Sequence, residues 1–278
     1  MTTPNFAAQS AYGRSDRKQA KASLPVQILL VTWRNLVTIF RTPVALVPPL
    51  VISIFFLVIY ESTLGKAANF IPNLSGNSYL GFILPLSIVS SSLSGSGIAA
   101  QNMVRDIESG YFDKLLLTPV SRAALLLGPI LAGAVILGIQ ATVVIAFALL
   151  LGLESATGFA GLAAVVGLSI LLGTGFAGFT VSAALGSGSA AATQGASFLF
   201  FPLTFLTASF VPLELLDGWL QTAAKINPIT YVLEAMRGLL NTGWDSAALT
   251  QGIAACLILG VAMYTLAVFA LRVRTRRS

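Results

Sequence analysis

Histidine is absent from this chain of 278 residues, and cysteine occurs once, at Cys256. Together these shortages exclude a His/Cys zinc site and a serine nucleophile activated by histidine. Charge is scarce as well. Asp, Glu, Lys and Arg make up 9% of the chain, against roughly 25% in soluble domains. The phosphate-cradling pattern Gly-x-x-x-x-Gly-Lys-Ser/Thr is missing. Gly65-Lys66 runs into Ala67 and lacks the upstream glycine, so any ATP that serves this protein is expected to bind another subunit.

Apolar residues account for 56% of the chain, and its mean hydropathy is +0.86. Apolar runs are continuous rather than alternating, and they recur along the whole length. A polytopic membrane domain built of helices is the expected fold class, because backbone polar groups inside a bilayer must be paired within the protein. Six spans are expected, at about 44–60, 79–100, 123–151, 158–183, 190–211 and 247–271. Residues 1–23 read as a disordered basic tail with no apolar run close enough for a cleavable signal peptide, and 272–278 as a second basic tail. Cys256, within an apolar run, reads as a small buried packing residue.

Between the first tail and the first span, Val26, Leu29, Leu30, Trp33, Leu36, Val37 and Phe40 recur at three- and four-residue steps. They form one apolar stripe, with Gln27, Arg34, Asn35, Thr38 and Arg41 off it. The spacing predicts an amphipathic helix lying at the membrane interface. Placing both termini and the 101–122 loop in the cytoplasm puts 13 of the 16 Lys and Arg inside, as the positive-inside rule requires. The basic residues flank spans, so topology and anionic lipid explain them better than nucleic acid.

Two charged islands interrupt the apolar chain. The first runs from Arg105 to Arg122. Val104, Ile107, Tyr111 and Leu115 predict one stripe of a short helix, with Asp106, Glu108, Asp113 and Lys114 facing elsewhere and Thr118-Pro119 ending it. Such a helix could dock in a groove on another protein; a solvated loop is the alternative. The second island is 212–246. It reads as two short helices broken at Asn227-Pro228 and folded back toward the bilayer as an outer lid. Glu234 and Arg237 are spaced to pair, and Trp219, Tyr231 and Trp244 could anchor at the interface. In the fourth span, Ser169, Gly173 and Ala177 with Gly178 predict close helix packing within the chain. Phe198, Phe200, Phe201, Phe205 and Phe210 read as lipid and subunit contacts, with a binding box the alternative.

In these two islands the chain resembles the ABC-2 type permeases, the membrane subunits of ATP-driven exporters. The resemblance rests on Glu108-Ser-Gly110 through Asp113-Lys114-Leu115 to Thr118-Pro119, and on Asn227-Pro228-Ile-Thr-Tyr231 with Glu234 and Arg237-Gly238. Arg41-Thr-Pro43 before the first span is similar too. Phe210-Val-Pro212 and Gly218-Trp219-Leu220 resemble the daunorubicin-type drug exporters. Asp113 stands where glutamate is common, and Tyr111 where threonine is. The resemblance implies a homodimer docked on two ATP-binding subunits, which bind ATP and Mg, while this chain holds no cofactor. It also implies a coupling helix at Arg105, Asp106, Glu108, Gly110, Asp113, Lys114, Thr118 and Pro119. The hairpin carrying Asn227, Pro228, Tyr231, Glu234 and Arg237 is implied to lie at the outer leaflet. The implied activity is export of a hydrophobic or amphipathic compound, drug or lipid-like. A lipid-linked polysaccharide or teichoic acid precursor is the alternative cargo, and an ion-coupled carrier the alternative mechanism.

Overall fold

The computed structural model describes residues 22–43, 46–64, 79–199, 201–207, 213 and 216–277. The expected basic tail as far as Lys21, together with Lys66, Phe200, Phe210 to Pro212 and Glu214, lies outside them. All the regular structure in the described residues is helical. Helices α3 (Tyr79–Glu108), α5 (Arg122–Leu150), α6 (Gly158–Ser187) and α11 (Ser246–Arg277) are each long and apolar enough to cross a membrane. A multi-pass membrane protein follows.

The remaining helices are shorter. α1 (Leu24–Phe40) and α2 (Val47–Leu64) precede α3, and α4 (Tyr111–Leu116) follows it. Where one fifth span was expected, the chain forms α7 (Ala190–Phe198) and α8 (Phe201–Phe205). Pro202 explains the division, since its nitrogen cannot donate to the carbonyl four residues earlier and it suits a helix start. α9 (Gly218–Ile226) and α10 (Pro228–Arg237) lead through a π-helical turn, Gly238–Thr242, into α11.

α3 lies at the centre and is almost wholly buried between α2, α5 and α6. Its small polar residues permit that position: Ser87, Ser91, Ser92 and Ser96 are all buried, and close approach of backbones is the main source of helix affinity in lipid. Ser53 of α2 donates to the Ser87 carbonyl at 2.9 Å, and Thr180 of α6 to that of Ser96 at 3.1 Å.

The small residues of α6 do pack within the chain, on two faces. A Cβ on Gly173 would fall 2.4 Å from Leu137 of α5. On the other face, one on Gly175 would meet the Gly260 backbone at 3.4 Å, and one on Gly178 the Met263 backbone at 3.1 Å. Cys256 is buried in the same core.

The helix expected over the apolar stripe near the N-terminus is α1. Pro25 stands in its first turn, and Thr42-Pro43 follows its end. Its polar side, with Thr32 and Asn35, is buried against the bundle, beside α5. Leu29, Leu30 and Trp33 are each more than 60% exposed. This inverts the arrangement in water-soluble bundles and leaves the apolar stripe open to lipid.

Candidate functional site

The first charged island is not one helix. α3 continues through Glu108, then the chain turns at Gly110, whose φ of 66° is left-handed. A glycine adopts that conformation without steric penalty. The turn splits the predicted stripe. Val104 and Ile107 end α3, whereas Tyr111 and Leu115 belong to the separate six-residue α4. Periodicity cannot register such a break, because the apolar spacing continues across it.

The residue that seats α4 was not singled out by that stripe. Phe112 is 1% exposed and packs in a cluster with Met103, Val104, Leu126, Val181 and Leu271. Residues near the ends of α3, α5, α6 and α11 thus share one apolar cluster with this ring. The Arg274 guanidinium stands 5.8 Å from that ring and donates to the Leu185 carbonyl at 3.1 Å. Arg122 donates to Thr275 Oγ1 at 3.0 Å. Outside this seat, Glu108, Asp113, Lys114, Thr118 and Pro119 are exposed, and Leu117 is 89% exposed.

Helix α1 is fastened to the same structure. Arg34 grips Asp106 with both arms of its guanidinium, Nη1 donating to Oδ2 at 2.9 Å and Nη2 to Oδ1. The guanidinium also lies 4.3 Å from the centre of the Tyr111 ring, within cation–π range. The hydrogen bond to Asp106 outweighs partial burial and raises the Arg34 pKa above its ordinary value. Farther along, the Ser121 N–H donates to Gln27 Oε1 at 2.7 Å, and Ser121 Oγ caps α5 by accepting from the Ala124 N–H. Arg34 and Asp106 are 72 positions apart, so no local pattern announces their bond.

Arg105 belongs elsewhere. It stands at one end of a cavity of about 490 Å³ between α2, α3, α7 and α8. Ile52, Phe56, Leu93, Ile98 and Phe198 form much of its wall. Gln101, Asn102 and Gln194 gather near Arg105, where Gln101 Nε2 donates to Gln194 Oε1 at 3.3 Å. Phe198 is thus a cavity residue as well as an exposed one.

The second island occupies the opposite end of the bundle. Its two short helices and the break at Asn227-Pro228 are present, and α10 packs into the bundle. Ile229, Val232, Leu233 and Met236 are buried in the main core against α3, α6 and α11. α9 is the outward element, with Trp219 74% exposed. Buried Asn227, between the two, ties them to the α8 region: its Nδ2 donates to the Leu203 and Leu206 carbonyls at 2.7 and 3.1 Å, while its Oδ1 accepts from the Ile229 N–H at 3.0 Å. Pro228 fills the first helical position, where a missing N–H costs nothing. Tyr231 donates to the Lys225 carbonyl at 2.7 Å.

Arg237 reaches across to α3. Its Nε donates to the Phe82 carbonyl at 3.0 Å, and the guanidinium sits 3.6 Å over the Phe82 ring. Glu234 contributes charge attraction from one turn earlier. The expected pairing therefore survives as an electrostatic effect, and Phe82 is the main contact the sequence concealed. Replacement of Asn227 by Ala should cost about 1–3 kcal/mol, since it takes the Nδ2 donor from two part-buried carbonyls and uncaps α10. Thermal unfolding of the purified chain in nanodiscs would measure it; an unchanged midpoint would deny Asn227 that role.

The family profile described as ABC-2 type transporter matches residues 26–241. The chain is 28% identical over 244 residues to a Mycobacterium tuberculosis protein named "Probable doxorubicin resistance ABC transporter permease protein DrrC", covering 87% of each chain. It is 26% identical over 267 residues to the "Daunorubicin resistance ABC transporter permease protein DrrB1" of Streptomyces coeruleorubidus, covering 94% of this chain and 90% of that one. The matched region takes in the first charged island, the second as far as residue 241 and the helices between them, and the chain belongs to the ABC-2 type transporter family.

Proposed function

We propose that this chain is the membrane subunit of an ATP-driven exporter, working as a homodimer on two ATP-binding subunits. Its cargo is a hydrophobic or amphipathic compound, drug or lipid-like, which moves from the cytoplasmic side outward. The end of the bundle that carries α4 also holds Arg34, Arg122, Arg272, Arg274 and Arg276, so the positive-inside rule assigns it to the cytoplasm.

The observation that carries the reading is the seating of α4. Glu108, Asp113, Lys114, Leu117, Thr118 and Pro119 present an exposed, charged knuckle with an apolar tip, suited to a groove on a partner. Behind that knuckle, Phe112 lies in the apolar cluster that also takes in the ends of four long helices. A push on the knuckle is therefore delivered to the spans, and the cavity between α2, α3, α7 and α8 is the space their movement would reshape.

A pull-down of the full chain from native membranes in mild detergent should bring with it a protein that binds and hydrolyses ATP. Inverted vesicles containing both should accumulate a fluorescent dansyl amphiphile only when ATP is supplied. Accumulation driven by an ion gradient with no ATPase present would overturn the reading.

A further inference from the structure

The cavity has an uneven chemistry that bears on its cargo. At one end stands the Arg105 guanidinium, for which no ion-pair partner exists among the described residues. Beside it Asn102 is 6% exposed, and its Nδ2 is buried with no acceptor. Gln101 and Gln194 add two further amides, linked to each other. No described lining residue carries a carboxylate. The rest of the wall is largely apolar, with Ile52, Phe56 and Leu93 along it. The volume of about 490 Å³ is in the range of small-molecule sites.

We infer that this cavity selects amphiphiles carrying an anionic headgroup, a carboxylate or a comparable oxyanion, held by Arg105 and Asn102 with the tail along the apolar wall. The inference rests on the reading that the cavity lies on the export path. The sign of the charge follows from the groups present. A buried amide N–H without an acceptor is costly, and an oxyanion removes that cost. An arginine gives an oxyanion charge-assisted, often paired hydrogen bonds. A cationic guest would leave water, meet Arg105 and find no carboxylate to replace its hydration.

The test uses the purified full chain in phosphatidylcholine nanodiscs and three fluorescent guests: dansyl-aminoundecanoate, its uncharged carboxamide and doxorubicin as the cation. The carboxylate should bind about tenfold more tightly than the carboxamide, as one charge-assisted contact allows. The Arg105→Gln variant should bring that ratio close to one, Arg105→Lys should keep part of it, and Asn102→Leu should weaken carboxylate binding. Equal affinities for carboxylate and carboxamide in the unmodified chain, or a ratio that survives Arg105→Gln, would overturn the inference while leaving the cavity on the export path. Failure of all three guests to bind would remove both. Adding phosphatidylglycerol to the nanodiscs separates two sources of the same chemistry. Displacement of the carboxylate identifies a lipid headgroup as the natural occupant, and undiminished binding identifies a smaller amphiphile; both outcomes support the anionic preference.

Discussion

Asp106→Arg should cut the proposed ATP-driven export about tenfold or more while the chain still reaches the membrane at normal abundance. The substitution puts two guanidinium groups where a two-armed ion pair now joins α1 to the end of α3. The pair is partly exposed, with side chains 38% and 16% accessible, so the bond itself stabilises by only about 1 kcal/mol. Its reversal does more, because repulsion replaces attraction next to Arg105 and because Tyr111 on α4 shares the same guanidinium. Neither Arg34 nor Asp106 touches the main core, so insertion and overall packing should hold. Export is expected to fall by about tenfold or more, which corresponds to a change of about 1.4 kcal/mol in a linked equilibrium.

The exchange Arg34→Asp with Asp106→Arg separates this link from a general need for charge. It restores the ion pair with its polarity reversed, and export should recover in large part, with a coupling energy of about 0.5–3 kcal/mol over the four-variant cycle. Recovery should be incomplete, since an aspartate cannot lie over the Tyr111 ring. Transport rates in inverted vesicles, normalised to the amount of chain, read the result. Normal export by Asp106→Arg alone would show that α1 and α4 need not be joined.

The long helices were legible in the sequence because hydropathy reports the solvent. Residues that face lipid and residues that face protein are both apolar, so runs of sufficient length reveal α3, α5, α6 and α11. The same property hides which side of a helix is the core. α1 shows it well. Its apolar stripe was correctly located, but the buried side proves to be the polar one, with Thr32 and Asn35. α10 shows the converse. Its charges masked an apolar face that packs in the core, where Arg237 is buried because the Phe82 carbonyl and ring receive it. Local conformation was readable where a residue type enforces it, as at Asn227-Pro228. It was misread at Gly110, because glycine permits a left-handed turn without requiring one. The candidate site was legible as a charged island and no further. The bonds that organise it, Arg34 to Asp106 and Gln27 to Ser121, join distant positions, and distant partners leave no periodic trace.

Phe112→Ala should uncouple the chain by a different route, through loss of the seat of α4 rather than of its fastening. α4 has six residues, begins at a glycine and has no side-chain cap. So short a helix does not persist by its own propensity, since nucleation consumes most of what its few hydrogen bonds contribute. Phe112 is its only buried residue, and removing such a ring from a packed site costs about 3–5 kcal/mol. That cost falls on the α4 seat, because the cluster around the ring also holds α3, α5, α6 and α11 together through contacts that do not involve α4. Amide hydrogen exchange should therefore accelerate across Tyr111–Leu116 and remain slow in the four long helices. The ATP-binding partner should release more readily, and export should fall even though Asp113, Lys114 and Leu117 are untouched. Phe112→Leu, which refills most of the volume, should restore much of both. Export at the normal rate from Phe112→Ala, with α4 exchanging freely, would mean that the partner's push enters the spans somewhere other than through this ring.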